Sequence, residues 1–260
     1  MKGRILRKDA DSIEILLYET NPSLANSFRR ALLSEVPVMA VDEVIFYMNT
    51  TEFPDEYIAH RLAMIPIKTD LSSYRLGDGK VVTLRVDKRA EKDGEVVYSG
   101  DLESSDPAIV PANPNIPIVV MQEGAVLRLE AIVRMGKGKW HSKWQAVSGL
   151  GYSYFPVYRL RGEALEFCRE ALKECPEGAI EEEDGCVVVR DYTLCPGLKE
   201  RIDEARRRGI EGVEVEWDDS RIIIKFETNG ALRIEEIIES AIGELINRLE
   251  LLKERLSSHG

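Results

Sequence analysis

Cysteine and histidine are scarce in this chain: four Cys and three His among 260 residues. No cysteine precedes Cys168, and Cys168, Cys175, Cys186 and Cys195 form no C-x2-C pair, so the pattern of a zinc ribbon is absent. His60, His141 and His259 have neither metal-ligand spacing nor the neighbours of a hydrolytic triad. Long apolar runs are missing too; none approaches the roughly eighteen residues of a membrane-spanning helix. The opening MKGRILRKDADSIEILLYE has no apolar block with a small-residue cleavage site, so the expected location is the cytoplasm, away from any membrane. Basic residues are outnumbered, 35 against 46 acidic, and the net charge of −11 repels phosphate backbones. Strong, direct nucleic-acid binding by this chain alone is therefore not expected.

What is present suffices for a sizeable core in one or two domains, with 44% apolar and 31% charged residues. The abundance of Glu, Lys and Arg would suit surface ion-pair networks of a thermophile. Residues 3–19 alternate, with Ile13, Ile15 and Leu17 on one face, and predict one or two half-buried strands. TNPSLANSFRRALLSE then changes period. Thr20 or Asn21 is placed to cap a helix that has Pro22 at its first position and Leu24, Phe28 and Leu32 along its apolar stripe, ending before Pro37. Residues 38–50 read as a strand, and Pro54 opens a short helix that breaks before Pro66. From about 67 to 160, turn-rich stretches such as LGDGK, EKDGE and VSGLGYSYFP separate VVTLRVD, EVVYSG and AVLRLEAIVRM, the pattern of an antiparallel β module with long loops. A helix from 161 to about 173 begins a small segment ending near Gly212, and GVEVEW and RIIIKFET predict two short strands joined by a DDS turn.

The last periodic segment is the longest. Ile234, Ile237, Ile238, Ala241, Leu245, Leu249, Leu252 and Leu256 recur every three or four residues, so 231–256 predicts an amphipathic helix of roughly 39 Å. The short helix near the N-terminus covers only about half of such a stripe, and the remainder points to another chain, the alternative being that the middle module folds back over it.

DEYIAHRLAMIPI (55–67) sets His60 and Arg61 among Ile58, Leu62 and Ile65, where packing is the expected role. Glu52, Asp55 and Glu56 suit the positive end of a helix dipole, and no catalytic residues are expected. RMGKGKWHSKWQ (134–145) is a local basic stretch read as a solvated hairpin turn, and its GKGKW lacks the spacing of a nucleotide loop.

The stretch Asn26–Ile67, with Phe28-Arg29-Arg30, Ala40–Val44, Asn49-Thr50 and DE-x-IAHRL-x-x-IP in order, resembles the α-like assembly subunits of multisubunit RNA polymerases. These include the N-terminal part of the bacterial α subunit, the third-largest subunit of eukaryotic polymerase II and their archaeal counterparts. The resemblance implies an α+β fold. A discontinuous dimerisation domain (1–48 and 213–260) would be interrupted by a β-rich insert domain (49–160) and a small ferredoxin-like domain (161–212). It further implies an assembly role: heterodimerisation with the smaller α-like subunit L, and a platform for the second-largest catalytic subunit and small subunits N and P. The implied partner-binding residues are Phe28, Arg29, Arg30, Leu32, Ile238, Ala241, Leu245, Leu249, Leu252 and Leu256. One of the two arginines is expected to dock onto a large subunit through its guanidinium fork. The zinc site of the eukaryotic relative is not carried over, since no cysteine precedes Cys168. Nor is the DNA-binding domain that follows in the bacterial subunit, and this points to the archaeal members.

Some archaeal members carry iron–sulfur clusters in the ferredoxin-like insert. Here Cys175-Pro176 ends one degenerate cluster run, with Leu165, Cys168 and Ala171 in its other places, and Cys195 starts a second, followed by Leu198, Arg201 and Ala205. One cluster site keeps only Cys168, the other Cys175 and Cys195, so the fold is expected without metal or cluster. Cys175 and Cys195, sharing one former site, are a possible disulfide; the alternative is four buried thiols. Two rival functions remain open, a ferredoxin-like redox or iron–sulfur protein and a stand-alone homodimer.

Overall fold

The computed structural model describes residues 1–183 and 185–258; Asp184, His259 and Gly260, and with them the expectation for His259, lie outside the described residues. In chain order, strands β1 (Lys2–Lys8) and β2 (Ser12–Tyr18) lead into helix α1 (Pro22–Ser34), strand β3 (Pro37–Asn49) and helix α2 (Asp55–Ala63). Next come β4 (Val82–Arg89), β5 (Glu95–Tyr98), β6 (Glu103–Ser104), β7 (Pro117–Met121), β8 (Val126–Lys137) and β9 (Val147–Leu160). Helix α3 (Gly162–Leu172), strands β10 (Ile180–Glu183) and β11 (Cys186–Val189), helix α4 (Leu198–Arg207), strand β12 (Val213–Thr228) and helix α5 (Ile234–Ser257) complete the chain. The mixed helices and antiparallel sheets match the expected α+β class. Two compact units emerge, one of residues 1–7, 14–25 and 152–224, the other of 8–13, 26–151 and 225–260.

The first unit is built on the six-stranded sheet β1-β2-β12-β9-β11-β10. α3 packs against α4, and their apolar faces close a core that contains Phe155, Tyr158, Leu160, Cys168, Leu198 and Ile202. Phe155 and Tyr158 both contact the Tyr192 ring, at centroid distances of 5.0 and 5.8 Å.

In the second unit β3, β8, β4 and β6 form a four-stranded sheet and β5 pairs with β7. β3 and β8 run antiparallel from Pro37↔Lys137 to Asn49↔Leu127, with irregularities between Val41 and Glu43 and between Phe46 and Met48. Ile58 and Leu62, one turn apart on α2, are buried in the core with Leu84, Leu127, Leu129 and Met121. Pro54 stands as the N-cap of α2, with Asp55 and Glu56 in its first turn.

The strands differ from expectation in three places. VSGLGYSYFP, read as turn-rich, lies within the 14-residue strand β9. Pro156, which has no N–H to donate, lies beyond the end of the β11 ladder, which pairs with β9 only from Tyr158 to Leu160. β7, passed over in a proline-rich stretch, is a strand because Val119 and Val120 pair with Val97 and Val96. β12 is one strand of 16 residues rather than two joined by a turn. The Asp218 carboxylate accepts from the Ser220 N–H at 2.9 Å and from Arg221 Nε at 2.6 Å, so the DDS segment satisfies itself locally without ending the strand.

Candidate functional site

Helix α5 is launched from a fixed turn. Asn229 Nδ2 donates to the Gln145 carbonyl at 2.7 Å, and Asn229 Oδ1 accepts from the Ala231 N–H at 3.0 Å. The Arg233 N–H then donates to Glu236 Oε2 at 2.9 Å, which satisfies an orphan amide of the first turn and sets carboxylates at the positive end of the dipole.

Along the helix the covering changes. Ile234, Ile237 and Ala241 are buried by their own chain, and Ile238 and Leu245 are partly covered. Beyond them the apolar stripe lies open: Leu249 is 66% exposed, Leu252 54% and Leu256 68%, with Ile242 and Ile246 beside them. An uncovered apolar ridge of this length along one helix marks a protein contact.

A charged cluster fixes the middle of α5. Glu35, in the turn after α1, has a side chain only 5% exposed and faces three cations: Lys137 at 3.6 Å, Lys139 at 3.2 Å and Arg248 of α5. Lys137, itself 8% exposed, also holds Glu244 of α5 at 2.6 Å. Burial pushes the Glu35 carboxyl up, but hydrogen bonds and charge from Lys139 and Arg248 outweigh it and hold its pKa below the ordinary value. Glu244 and Arg248 lie one turn apart, so the cluster grips α5 on one side and leaves its ridge turned away.

Two glycines, Gly136 at the end of β8 and Gly138 just after it, let this part of the chain close on α1. A Cβ at Gly138 would stand 2.4 Å from the Leu33 carbonyl, and one at Gly136 would stand 2.3 Å from the Trp144 ring. Lys143 bonds Asp42 Oδ1 at 2.8 Å and lies 4.2 Å from the Trp144 ring centre, while Arg134 pairs with Glu43 at 3.0 Å. The basic stretch thus begins in β8 and runs into the turn after it, and its Arg134, Lys137, Lys139 and Lys143 each pair with the chain's own carboxylates. Sequence reasoning missed Glu35, Lys137 and Glu244; a lone Glu before a helix-ending Val-Pro carries no signal of three distant cations.

The implied partner residues divide accordingly. Phe28, Leu32 and Ala241 are core residues that hold α1 and α5 in their own chain. Arg29 is half-buried with its Nε on Asn26 Oδ1 at 3.0 Å, and Arg30 is exposed. Leu249, Leu252 and Leu256 are the accessible ones. Asn21 caps α1, its Oδ1 accepting from the Leu24 N–H at 2.9 Å. Arg61 donates to the Pro117 carbonyl and lies 5.9 Å from the Tyr57 ring centre, a packing role.

In the first unit Cys175 and Cys195 form a disulfide, with Cα atoms 4.5 Å apart. Cys168 is fully buried, and burial pushes its thiol up. The other places of the degenerate cluster runs are filled by packing: Leu198 and Ala205 are buried, Leu165 and Ala171 border the same core, and Arg201 lies 3.9 Å from the Phe167 ring centre. This donor set does not fit an iron–sulfur cluster. Among the described residues no three of His, Cys, Asp and Glu are gathered as metal ligands would be, and no helix is long and apolar enough to cross a membrane.

Comparison with known proteins agrees with this geometry. The family described as the RNA polymerase Rpb3/Rpb11 dimerisation domain matches residues 14–249. The chain is similar to DNA-directed RNA polymerase subunit Rpo3 of Thermococcus kodakarensis, 39% identical over 252 residues, covering 94% of this chain and 93% of the relative. The corresponding subunit of Pyrococcus furiosus is 37% identical over 260 residues, covering 95% and 94%, and that of Methanosphaera stadtmanae 34% over 254 residues, covering 93% of each.

Proposed function

Since the chain belongs to the family of RNA polymerase subunits that carry the Rpb3/Rpb11 dimerisation domain, we propose that it is the assembly subunit of an archaeal DNA-directed RNA polymerase. The observation that carries this reading is the ridge of α5 from Ile242 to Leu256, apolar and uncovered by its own chain. Fully burying one leucine contributes about 2 kcal/mol, and the ridge side chains are about half exposed, so covering five or six of them supplies roughly 5 kcal/mol, at the lower end of the entropy lost on association. A helix from a second chain is what such a ridge accommodates.

The partner in this reading is the smaller α-like subunit L. The heterodimer then offers its outer surface, Arg29 or Arg30 included, to the second-largest catalytic subunit and to small subunits N and P. Nucleotide addition belongs to the large subunits: the polymerase is a nucleotidyltransferase, and this chain contributes positioning rather than catalysis. No iron–sulfur cluster is part of the reading. Cys175 and Cys195 are spent on each other, and the remaining cluster places hold Leu, Ala and Arg. A colourless protein without stoichiometric iron is expected by absorption spectroscopy and metal analysis.

Coexpression with an archaeal L subunit followed by size-exclusion chromatography tests the assembly role. A stable one-to-one complex is expected; a chain that elutes alone contradicts the proposal.

A further inference from the structure

We propose that the open face of helix α2 docks a segment of another polymerase subunit in which an aspartate or glutamate stands among apolar side chains, the carboxylate pairing with Arg61. This rests on the assembly reading above.

Tyr57, Arg61 and Met64 are spaced by four and three residues, so they share one side of α2, next to the side that buries Ile58 and Leu62. Tyr57 is 44% exposed and Met64 47%. The Tyr57 ring stacks on Phe53, with ring centres 5.1 Å apart, which holds the aromatic in place at the surface. Aromatic, Met and Arg side chains are the types that concentrate where proteins touch.

Arg61 gives this face its chemistry. Its Nη2 donates to the Pro117 carbonyl and its guanidinium lies 5.9 Å from the Tyr57 ring centre, contacts that fix its position without answering its charge. Its Nε is buried without an acceptor, the one such side-chain atom among the described residues. No carboxylate among the described residues pairs with it. Those near it in sequence are engaged or face elsewhere: Asp55 accepts from Asn49 Nδ2 at 2.7 Å, Glu52 accepts from Gln122, and Glu56 stands about 140° round the helix from Arg61. A guanidinium already held in place loses little freedom when a carboxylate arrives. Phosphate is the poorer fit, because a lone cation between a phenol ring and a thioether, on a chain of net charge −11, does not make a track for a polyanion.

The test is made in the assembled complex. With a photoreactive benzophenone amino acid in place of Tyr57, the chain is reconstituted with subunit L, the second-largest subunit and small subunits N and P, and irradiated. Mass spectrometry of the cross-linked peptide is expected to show an Asp or Glu beside the attachment site. Arg61→Gln, which keeps a donor for the Pro117 carbonyl and removes the charge, should weaken retention of the cross-linked subunit about tenfold with an unchanged melting temperature. Arg61→Glu should weaken it further, and changing the cross-linked carboxylate to arginine should restore it, a rescue that a packing role alone does not provide. Cross-linking to no subunit, to nucleic acid or to a segment without a carboxylate overturns the proposal, as does undiminished retention in Arg61→Gln. Co-elution with L is followed in the same samples: where L still pairs, only the α2 contact falls, and where the unaltered chain leaves L alone, the assembly reading falls as well.

Discussion

Glu35 is the residue on which the site's geometry turns. It is 5% exposed and is held by cations from two other segments. Replacing it with glutamine leaves Lys137, 8% exposed, short of one of its two carboxylates, whereas the more exposed Lys139 and Arg248 can turn to water. Breaking a buried pair in this way costs about 3 kcal/mol, so Glu35→Gln should lower the free energy of unfolding by that order in chemical denaturation. The pH dependence has a definite sign. A carboxyl held below its ordinary value of 4.5 contributes all of its stabilisation above that pH and loses it as pH falls through the lower folded value. The gap between wild type and Glu35→Gln should therefore stay constant through neutral pH and narrow only on acidification below about 4.5. A gap that changed between pH 6 and 8 would exclude Glu35 as its source.

At the scale of elements, α5 separates packing from docking along one helix. Leu249 and Leu252, 66% and 54% exposed, contribute little to the chain's own fold, while the buried Ala241 cannot grow without displacing its neighbours. The pair Leu249→Asp/Leu252→Asp should leave the melting temperature of the isolated chain within a degree or two and abolish co-elution with the partner subunit. If the variant melts much earlier, the ridge belongs to the chain's own core. The helices α1, α2, α3 and α5 were legible because their apolar residues follow the helical period and Asn21 and Pro54 punctuate their starts. β9 and the continuous β12 were not. Gly149, Gly151, Pro156 and the DDS segment are turn formers locally, and only the neighbouring strands decide that the backbone stays extended.

The first unit, taken whole, is stapled by its one disulfide among the described residues. The bond between Cys175 and Cys195 spans 20 residues of sequence and ties the end of α3 to the start of α4. Closing a loop of this length contributes about 3 kcal/mol, so Cys175→Ser/Cys195→Ser should unfold at correspondingly lower denaturant. Intact-mass analysis after alkylation in denaturant should count two reactive thiols, Cys168 and Cys186, without reductant and four with it. Four without reductant would remove the bond.

Composition and period by themselves carried the helices of the chain and a terminal apolar stripe longer than the neighbouring helix could cover. Those are local or additive properties, readable along a line. Which side of that stripe stays open was decided only in three dimensions. Glu35, Lys137, Glu244 and Arg248 are far apart in sequence, and burial brings them together into the clasp that turns α5.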